Sequence, residues 1–392
     1  MKIAILSCGI LPIPAVQGGA VENMIDFYLE YNKRKKLHDI TVFSPWDPKV
    51  ASHPALTSEV NHYSYIDVSS LKARIRRRIS KYFYSKKNYY NYFIEYYFEN
   101  VYAQLKKSEY NLVILENCPG LAYKLSQRGY RNLVLHLNND LLNSTSRYHD
   151  IIFNSLTRIL TCSNFIKDRV LTIQPSEKVQ THYNAIDVHN FSRPDITPIS
   201  REQIGLAEED FVIAYSGRIN NEKGVSELID AILLLKENPC MKLMIIGGTF
   251  YGNASNENEF VRSLKTKAKP IEDRIVFTGF VPYAEIPRYL KTADIAVLPS
   301  MWDEPFGLTI VEALAVGLPL ITTRSGGIPE ICEGAATIVN RENVVDNLAT
   351  AILDLYKHPE KRQQLSAIAV QRAWLFDKEP YSKKFFATLE SI

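Results

Sequence analysis

The sequence predicts an α/β protein built from two doubly wound domains, each with a parallel sheet covered by helices. Its 392 residues exceed one ordinary core and favour two or three domains. Short, nearly continuous apolar runs alternate with helix-length segments, which is typical of parallel strands buried on both faces. This alternation occurs twice along the chain. The composition, 46% hydrophobic and 23% charged, is ordinary for a globular protein.

The apolar runs and the segments between them define the individual elements. The strands predicted in the first half are 2–7, 40–44, 111–116, 132–137 and 158–163. Those in the second half are 211–216, 242–247, 274–278, 295–299 and 318–322. Helix-length segments lie between them. The helices expected there are 20–36, 88–107, 225–238, 283–292 and 309–316.

A polar linker divides the pattern into two domains. Residues 192–198 include Pro194 and Pro198 and have no periodicity, which is typical of a linker. We therefore expect an N-terminal domain at 1–190 and a C-terminal domain at 191–374, with a last helix at about 375–392 that packs back onto the first domain. Two such domains facing each other leave a central cleft at the carboxyl ends of their strands, where open α/β sheets bind ligands.

Cysteine usage and charge indicate the compartment and the partners. The five cysteines are far apart and form no CxxC pair, which favours a reducing cytosol over a disulfide framework or a zinc ribbon. Residues 2–7 fit a buried strand better than a signal peptide, and no apolar run is long enough to span a bilayer. Residues 1–195 have a net charge of +8 and residues 196–392 one of −5. The contrast favours two domains with different partners.

Several well-known catalytic motifs are missing from the chain. There is no GxGxxG, no GxxxxGK[ST] and no GxSxG. No Asp-x-Asp occurs either, so the simplest diphosphate-bound metal site is absent and no metal or cofactor is expected. The remaining candidates are turns that follow predicted strands.

Two turns in the second half have the chemistry of a diphosphate site. Glu304-Pro-Phe-Gly-Leu-Thr-Ile-Val-Glu312 follows one strand and starts a helix, for which Thr309 is the expected N-cap. The turn from Ser216 to Gly224 contains Arg218 and Lys223, which suit a diphosphate as a fork and as a point charge. The alternative is that these are ordinary surface acids and cations on a solvated loop.

Three further positions are weaker candidates. Gly18 and Gly19 precede the first helix and permit an anion at its N-terminus, and Gly326 lies in a Gly-Gly turn after a later strand. Either pair is also compatible with a plain turn. His136 lies at a strand end, where a histidine is more often structural than functional.

These segments, in this order, resemble retaining glycosyltransferases of family 4. Glu304 to Glu312 matches their E-x7-E motif, and Gly217-Arg218 with Lys223-Gly224 matches their diphosphate turn. The Gly-Gly turns occur in the family's order, and Ala185 replaces the glycine of an NGID turn. The layout is also similar to lipopolysaccharide, capsule and exopolysaccharide transferases.

The resemblance implies a GT-B fold and assigns a role to each candidate. The donor, a nucleotide-diphosphate sugar and most simply a UDP-sugar, would bind the C-terminal domain, and a glycan or lipid-linked acceptor the N-terminal domain. The residues implied in catalysis are Glu304, Arg218, Lys223 and His136, the last beside the donor sugar. The residues implied in donor binding are Gly18, Gly19, Ser216, Gly217, Phe280, Val281, Phe306, Gly307, Leu308, Thr309, Glu312 (on the ribose) and Gly326.

A basic, aromatic stretch follows in the first half. Residues 72–87 contain eight basic residues and no acid, and eight tyrosines lie between Tyr82 and Tyr102. The stretch fits a solvated helix with a buried tyrosine face. It also fits an anionic membrane surface contacted from Arg74 to Lys81, or an acceptor groove. RNA binding is less favoured because no nucleic-acid module surrounds it, and no nucleic-acid partner is expected.

The sequence therefore predicts a hexosyltransferase of surface polysaccharide biosynthesis that retains configuration and needs no metal. It would be cytoplasmic, with a peripheral location at the inner face of the membrane if the basic stretch binds lipid. Two alternatives remain open: a sugar-nucleotide epimerase of the same fold, and a non-catalytic protein that binds nucleotide-sugars or RNA.

Overall fold

The computed structural model describes residues 1–84, 90–248 and 259–392, which form two compact units. Unit 1 consists of Met1–Asn184 and Lys378–Ile392, and unit 2 of Ala185–Asp377. The division falls between Asn184 and Ala185, earlier than the expected boundary at 190. The reason is local pairing: Ile186 forms a β-bridge with Asp377, and its amide donates to the carbonyl of Phe376.

Unit 1 is built on a sheet of seven parallel strands. Their order is β3-β2-β1-β4-β5-β6-β7, so the chain starts at the centre and extends to one edge and then to the other. The central strands are mostly apolar, as burial on both faces favours. The strands are β1 (Lys2–Leu6), β2 (Asp39–Pro45), β3 (Asn61–Ile66), β4 (Leu112–Glu116), β5 (Leu133–Leu137), β6 (Leu156–Thr161) and β7 (Val179–Thr181).

Helices connect these strands. The helix after β1 begins at the expected residue, directly behind Gly19, and ends at Lys36 in a left-handed conformation. The helices are α1 (Ala20–Lys35), α2 (Leu71–Ser80), α3 (Glu95–Leu105), α4 (Pro119–Ser126), α5 (His149–Ser155) and α6 (Asn164–Leu171). Part of the predicted helix 88–107 lies outside the described residues, and α3 begins only at Glu95.

Unit 2 repeats the design with six parallel strands. Their order is β10-β9-β8-β11-β12-β13, again with the first strand in the interior of the sheet. The neighbours β8 and β11 therefore bring the turns that follow them to the same edge. The strands are β8 (Phe211–Ser216), β9 (Met241–Ile246), β10 (Ile275–Gly279), β11 (Ile295–Leu298), β12 (Leu320–Thr323) and β13 (Ala336–Val339).

The helices of unit 2 differ from expectation at two places. The predicted helix 283–292 starts as a 3-10 turn, Tyr283–Glu285, before an α-helix. The helix after β11 is capped by Gly307 and not by Thr309, which lies inside the helix. The α-helices are α7 (His189–Ser192), α8 (Val225–Leu234), α9 (Glu259–Ala268), α10 (Ile286–Leu290), α11 (Leu308–Val316), α12 (Ile328–Cys332), α13 (Val344–Lys357) and α14 (Pro359–Ala373).

The last helix, α15 (Lys378–Glu390), belongs to unit 1 although it follows unit 2 in the chain. It packs on α1, where the ring of Phe385 stacks on Tyr28 with centroids 4.2 Å apart. Tyr381, Phe385, Phe386 and Leu389 are all buried. Unit 1 therefore obtains part of its core from the far end of the sequence. Among the helices of the described residues, none is long and apolar enough to cross a membrane.

Candidate donor site in unit 2

The site centres on an ion pair between the turn after β8 and the loop after β11. The ammonium of Lys223 pairs with the carboxylate of Glu304, whose side chain is only 8% exposed. The hydroxyl of Ser300 donates to the same carboxylate oxygen at 3.1 Å. The Lys223 ammonium also lies 5.8 Å from the centre of the Trp302 ring. Two sequence-predicted residues, Lys223 and Glu304, are thus brought together although they lie far apart in the chain.

A glycine makes this close approach possible. Gly224 has φ of +67°, and a Cβ built on it would lie 1.8 Å from the carbonyl oxygen of Pro299. The amide of Met301 donates to the Glu222 carbonyl at 2.8 Å, which joins the two segments again. A side chain at 224 would push the β8 turn away from the β11 loop, and with it Lys223 from Glu304.

Side chains beyond β12 hold the Glu304 loop from the other side. The hydroxyls of Thr323 and Ser325 donate to the Ser300 carbonyl at 2.6 and 2.7 Å. The amide of Gly327 donates to the Glu304 carbonyl at 2.8 Å. Gly326 has φ of +53°, and a Cβ there would lie 2.3 Å from the Glu304 carbonyl oxygen. Gly326 therefore supports the backbone of Glu304, and its contact with a donor stays a prediction.

The N-terminus of α11 is the second feature of the site. Gly307 is its N-cap, with φ of +113°, and no side chain caps this end. The first amides of a helix have no intrahelical acceptor, so those of Leu308 and Thr309 are available to an anion. Phe306 buries its ring against Phe376, and only its backbone is suited to contact a ligand. A Cβ built on Gly217 would lie 3.9 Å from the methyl group of Thr309, so the β8 turn adjoins this helix end.

Glu312, the last residue of the motif, lies buried one turn into α11. Burial raises the pKa of its carboxyl to about 7, and a hydrogen bond with Tyr283 partly opposes the rise. The ring of Tyr283 is half-exposed, while its hydroxyl bonds to Glu312. Burial raises the pKa of the Tyr283 hydroxyl above its usual value, and the charge of Glu312 and the hydrogen bond with it raise the pKa further.

The remaining unit 2 candidates lie at the carboxyl ends of β8 and β10. Arg218 is exposed, and its carbonyl accepts a hydrogen bond from Tyr215 at 2.8 Å, so its backbone is fixed while its guanidinium is free to reach an anion. Ser216 ends β8 and is buried, and Gly217 follows it. Phe280 is 44% exposed after β10, whereas Val281 is buried. Among the described residues, no group of three or more His, Cys, Asp or Glu side chains is arranged to hold a metal ion.

Gly18 and Gly19 lie in unit 1, at the start of α1. Both have positive φ, and Gly19 is the N-cap of the helix. The space beside Gly19 is occupied by the carboxyl of Glu22, since a Cβ there would lie 2.1 Å from Oε2. Burial raises the pKa of Glu22 to about 7. The predicted phosphate contact of this helix end therefore adjoins an acid that the sequence pattern did not reveal.

His136 lies in the interior of unit 1, which does not favour its predicted role beside a donor sugar. His136 lies within β5, its side chain has no exposed surface, and its Nδ1 lies 3.0 Å from the buried carboxylate of Glu116. The ring of His182 lies beside it, with centroids 5.7 Å apart. The imidazole faces the interior of unit 1 because successive side chains of a strand point to opposite faces of the sheet, and the sequence alone did not reveal which face His136 occupies.

The sequence analysis missed two supporting residues, Ser300 and Tyr283, and the close approach of Gly224 to Pro299. Ser300 has a sequence signal, because it follows an apolar strand directly, as ligand-side residues do. Tyr283 has none, since its partner Glu312 lies far along the chain. Gly224 was noted only as part of the diphosphate turn, and its contact with Pro299 depends on the tertiary structure.

The chain has two doubly wound units with parallel sheets, and the turns after β8 and β11 meet in unit 2. This is the architecture of the GT-B class of glycosyltransferases. Residues 197–372 match the family model described as glycosyl transferases group 1. YtcC of Bacillus subtilis, named as a candidate glycosyltransferase, is 30% identical over 90% of this chain and 82% of its own. The spore coat protein SA of the same organism is 28% identical over 95% of this chain and 94% of its own.

Solved structures have the same fold. Anabaena Alr3699/HepE, in a crystal structure with UDP and glucose, superposes with a TM-score of 0.74 at 22% identity and covers 100% of both chains. The chain belongs to the glycosyl transferases group 1 family and is a glycosyltransferase.

Proposed function

We propose that the protein transfers a hexose or N-acetylhexosamine from a UDP-sugar to a saccharide or lipid-linked saccharide acceptor in surface polysaccharide biosynthesis, with retention of configuration. The observation that carries this proposal is the cluster of Lys223, Glu304 and Ser300 beside the open N-terminus of α11. It combines a cation, a hydrogen-bonded carboxylate and free amides at one edge of a sheet.

The cluster suits a donor whose leaving group is a diphosphate. Breaking the sugar–phosphate bond builds negative charge on the departing oxygen. Lys223, Arg218 and the amides at the start of α11 are positive groups suited to stabilise this charge. Glu304 holds the Lys223 ammonium in place and leaves its second oxygen to accept a sugar hydroxyl. No metal is needed for this charge balance, so we propose a metal-independent reaction.

The remaining donor contacts follow from the same edge. The ionised carboxylate of Glu312 is suited to the paired ribose hydroxyls, which donate hydrogen bonds to it. The backbone of Phe280 and Val281, after β10, is suited to flank the base. The bound UDP in the HepE structure supports uracil as the base of the donor. Retention is proposed because the departing phosphate can itself accept the acceptor's proton on the same face, which requires no separate base.

The experiment that tests transfer is release of UDP from UDP-glucose and UDP-N-acetylglucosamine with and without saccharide acceptors. Transfer predicts release that depends on acceptor, a product with unchanged anomeric configuration, and activity that survives EDTA. An epimerised sugar formed without acceptor would favour the epimerase, and UDP-sugar binding without turnover would favour a binding protein. Loss of activity in EDTA that manganese restores would contradict the metal-independent mechanism.

We also propose an anionic membrane surface as a partner of unit 1, which would place the protein peripherally at the inner face of the membrane. Arg74, Arg78 and Lys81 are exposed on α2 and the turn after it. Each cation near an anionic surface contributes about 1 kcal/mol. Co-sedimentation with anionic vesicles at low salt, which weakens as salt rises, is the expected result. Absence of sedimentation at low salt would exclude this partner.

A further inference from the structure

The helix α2 presents a row of apolar side chains to solvent. Leu71, Ile75 and Ile79 recur at every fourth position, and since an α-helix turns about 100° per residue they share one side of α2. Tyr82 and Phe83 are exposed in the turn that follows the helix. The exposed fractions in chain order are 74%, 51%, 52%, 89% and 78%. We call these five residues the α2 ridge.

The opposite side of α2 anchors it to unit 1. Ala73 and Ser80 are buried, and the hydroxyl of Ser80 donates to the carboxylate of Glu95 at 3.0 Å. The turn after the helix is hydrogen-bonded as well, with the amide of Phe83 donating to the Ser80 carbonyl at 3.0 Å. The ridge therefore belongs to an attached helix, and its exposure is a property of the folded unit.

One cation of the basic stretch belongs to the fold. Arg76 forms an ion pair with Glu95 at 2.7 Å, and Glu95 is almost fully buried. Replacing Arg76 would leave that carboxylate without its cation. The exposed cations beside the ridge are Lys72 on one side and Arg74, Arg78 and Lys81 on the other. Lys86 and Lys87 of the predicted stretch 72–87 lie outside the described residues.

We propose that the α2 ridge inserts into the interfacial layer of an anionic lipid bilayer. Its apolar side chains would enter the boundary between headgroups and acyl chains, while the flanking cations meet lipid phosphates. The proposal deepens the membrane partner proposed above and does not depend on the donor site, which lies in unit 2. In this proposal, charge attracts the protein to the membrane, and apolar insertion supplies the part of the binding that resists salt.

The chemistry favours lipid over a protein partner or a glycan. The ridge is exposed, and cations lie on both of its sides, which complements a layer with anionic headgroups above an apolar interior. A glycan would require hydrogen-bonding side chains along the row, and four of the five ridge residues have none.

The prediction that distinguishes insertion from charge attraction is a component of binding that resists salt. Charge attraction is screened over about 8 Å at physiological ionic strength, whereas apolar burial is not weakened by salt. The wild-type protein should bind vesicles of phosphatidylserine and phosphatidylcholine at low salt and retain part of this binding at high salt.

The experiment compares three variants of the full chain by vesicle co-sedimentation. The ridge variant carries Leu71→Ser, Ile75→Ser and Ile79→Ser, and the charge variant carries Arg74→Gln, Arg78→Gln and Lys81→Gln. A matched control changes two exposed apolar residues of unit 2, Ile368→Ser and Leu375→Ser. The ridge variant should lose binding at both salt concentrations, by about tenfold or more at high salt. The charge variant should lose binding mainly at low salt, and the control should match the wild type.

A direct measure of insertion is a tryptophan reporter, Phe83→Trp, read as the difference from the wild-type spectrum. Its emission should shift to the blue with vesicles and be quenched by lipids brominated on the acyl chains. Absence of both effects, or a ridge variant that binds like the wild type, would overturn the proposal. Self-association abolished by the ridge substitutions, without vesicle binding, would assign the ridge to a second copy instead. UDP binding by every variant confirms that the variants fold. If the wild-type protein does not bind UDP, that result counts against the proposed donor site and not against the membrane proposal.

Discussion

Two buried acids of the candidate site have different surroundings. Glu304 has an ammonium and a hydroxyl beside its carboxylate. Glu312 has the hydroxyl of Tyr283 beside its carboxylate. Its charge is therefore poorly compensated, and its pKa rises to about 7 because burial disfavours the ionised form. A ligand that donates hydrogen bonds to Glu312 would favour the carboxylate and lower this pKa.

Glu312 makes stability depend on pH in a defined direction. The raised pKa means that the folded protein holds a proton that the unfolded chain releases above pH 4.5, so this contribution is lost as pH rises from about 4.5 to 7. Glu312→Gln should therefore gain stability relative to the wild type across this range, by about 2–3 kcal/mol in total, and no more above pH 7. Urea unfolding at pH 5, 6, 7 and 8 measures the difference. A difference that is the same at each pH would show that Glu312 is already ionised in the fold.

The two cations of the β8 turn should differ in their effect on stability. Lys223→Ala leaves the buried carboxylate of Glu304 without its partner and should lower the free energy of unfolding by about 3 kcal/mol. Arg218→Ala should change it by less than about 0.5 kcal/mol, because its side chain is exposed. Both should reduce activity. Thermal unfolding with a UDP-release assay measures the pair, and equal destabilisation would contradict the role of the Lys223–Glu304 pair.

At the scale of elements, the contact between the turn after β8 and the loop after β11 determines the geometry of the site. Gly224→Ala should destabilise unit 2 by at least about 3 kcal/mol, since its Cβ would overlap the Pro299 carbonyl and the residue has positive φ. Gly18→Ala is the matched control: it also has positive φ, but nothing lies within 4 Å of its Cβ. It should cost about 1–2 kcal/mol, from backbone strain alone. Similar losses for both variants would show that the contact with Pro299 is unimportant.

Strand position explains which elements the sequence analysis found. The central strands are predominantly apolar, and each was expected near its observed place. The three strands that were missed, β3, β7 and β13, all lie at sheet edges. Edge strands pair on one side and are partly exposed, so β3 reads as NHYSYI and β7 as three residues, VQT. For β3 and β7, pairing with the neighbouring strand, and not composition, makes the segment a strand. The edge strand β13, ATIV, is apolar but only four residues long, and the edge strand β10 was found.

At the scale of the molecule, α15 joins the last residues of the chain to the core of unit 1. Phe385→Ala should remove a ring stacked on Tyr28 and destabilise unit 1 by about 3–5 kcal/mol. Hydrogen exchange should accelerate in Met1–Asn184 and in α15. The matched variant Ile352→Ala, in the core of unit 2, should accelerate exchange within Ala185–Asp377 instead. Acceleration spread evenly over the chain in both cases would contradict two separately stabilised units.

The sequence by itself determined the two-domain α/β class, the central strands and the family, because apolar periodicity and short motifs are local properties. It also placed Lys223 and Glu304 in turns, and Glu312 in the helix that follows, all of which the structure brings to one edge of unit 2. The tertiary structure alone decided that His136 is buried, that Arg76 pairs with Glu95, and that the units divide after Asn184. It also decided that Gly307 caps α11. The burial of His136 and the pairing of Arg76 depend on contacts between residues far apart in the chain. Such contacts leave no periodic signal in the local sequence.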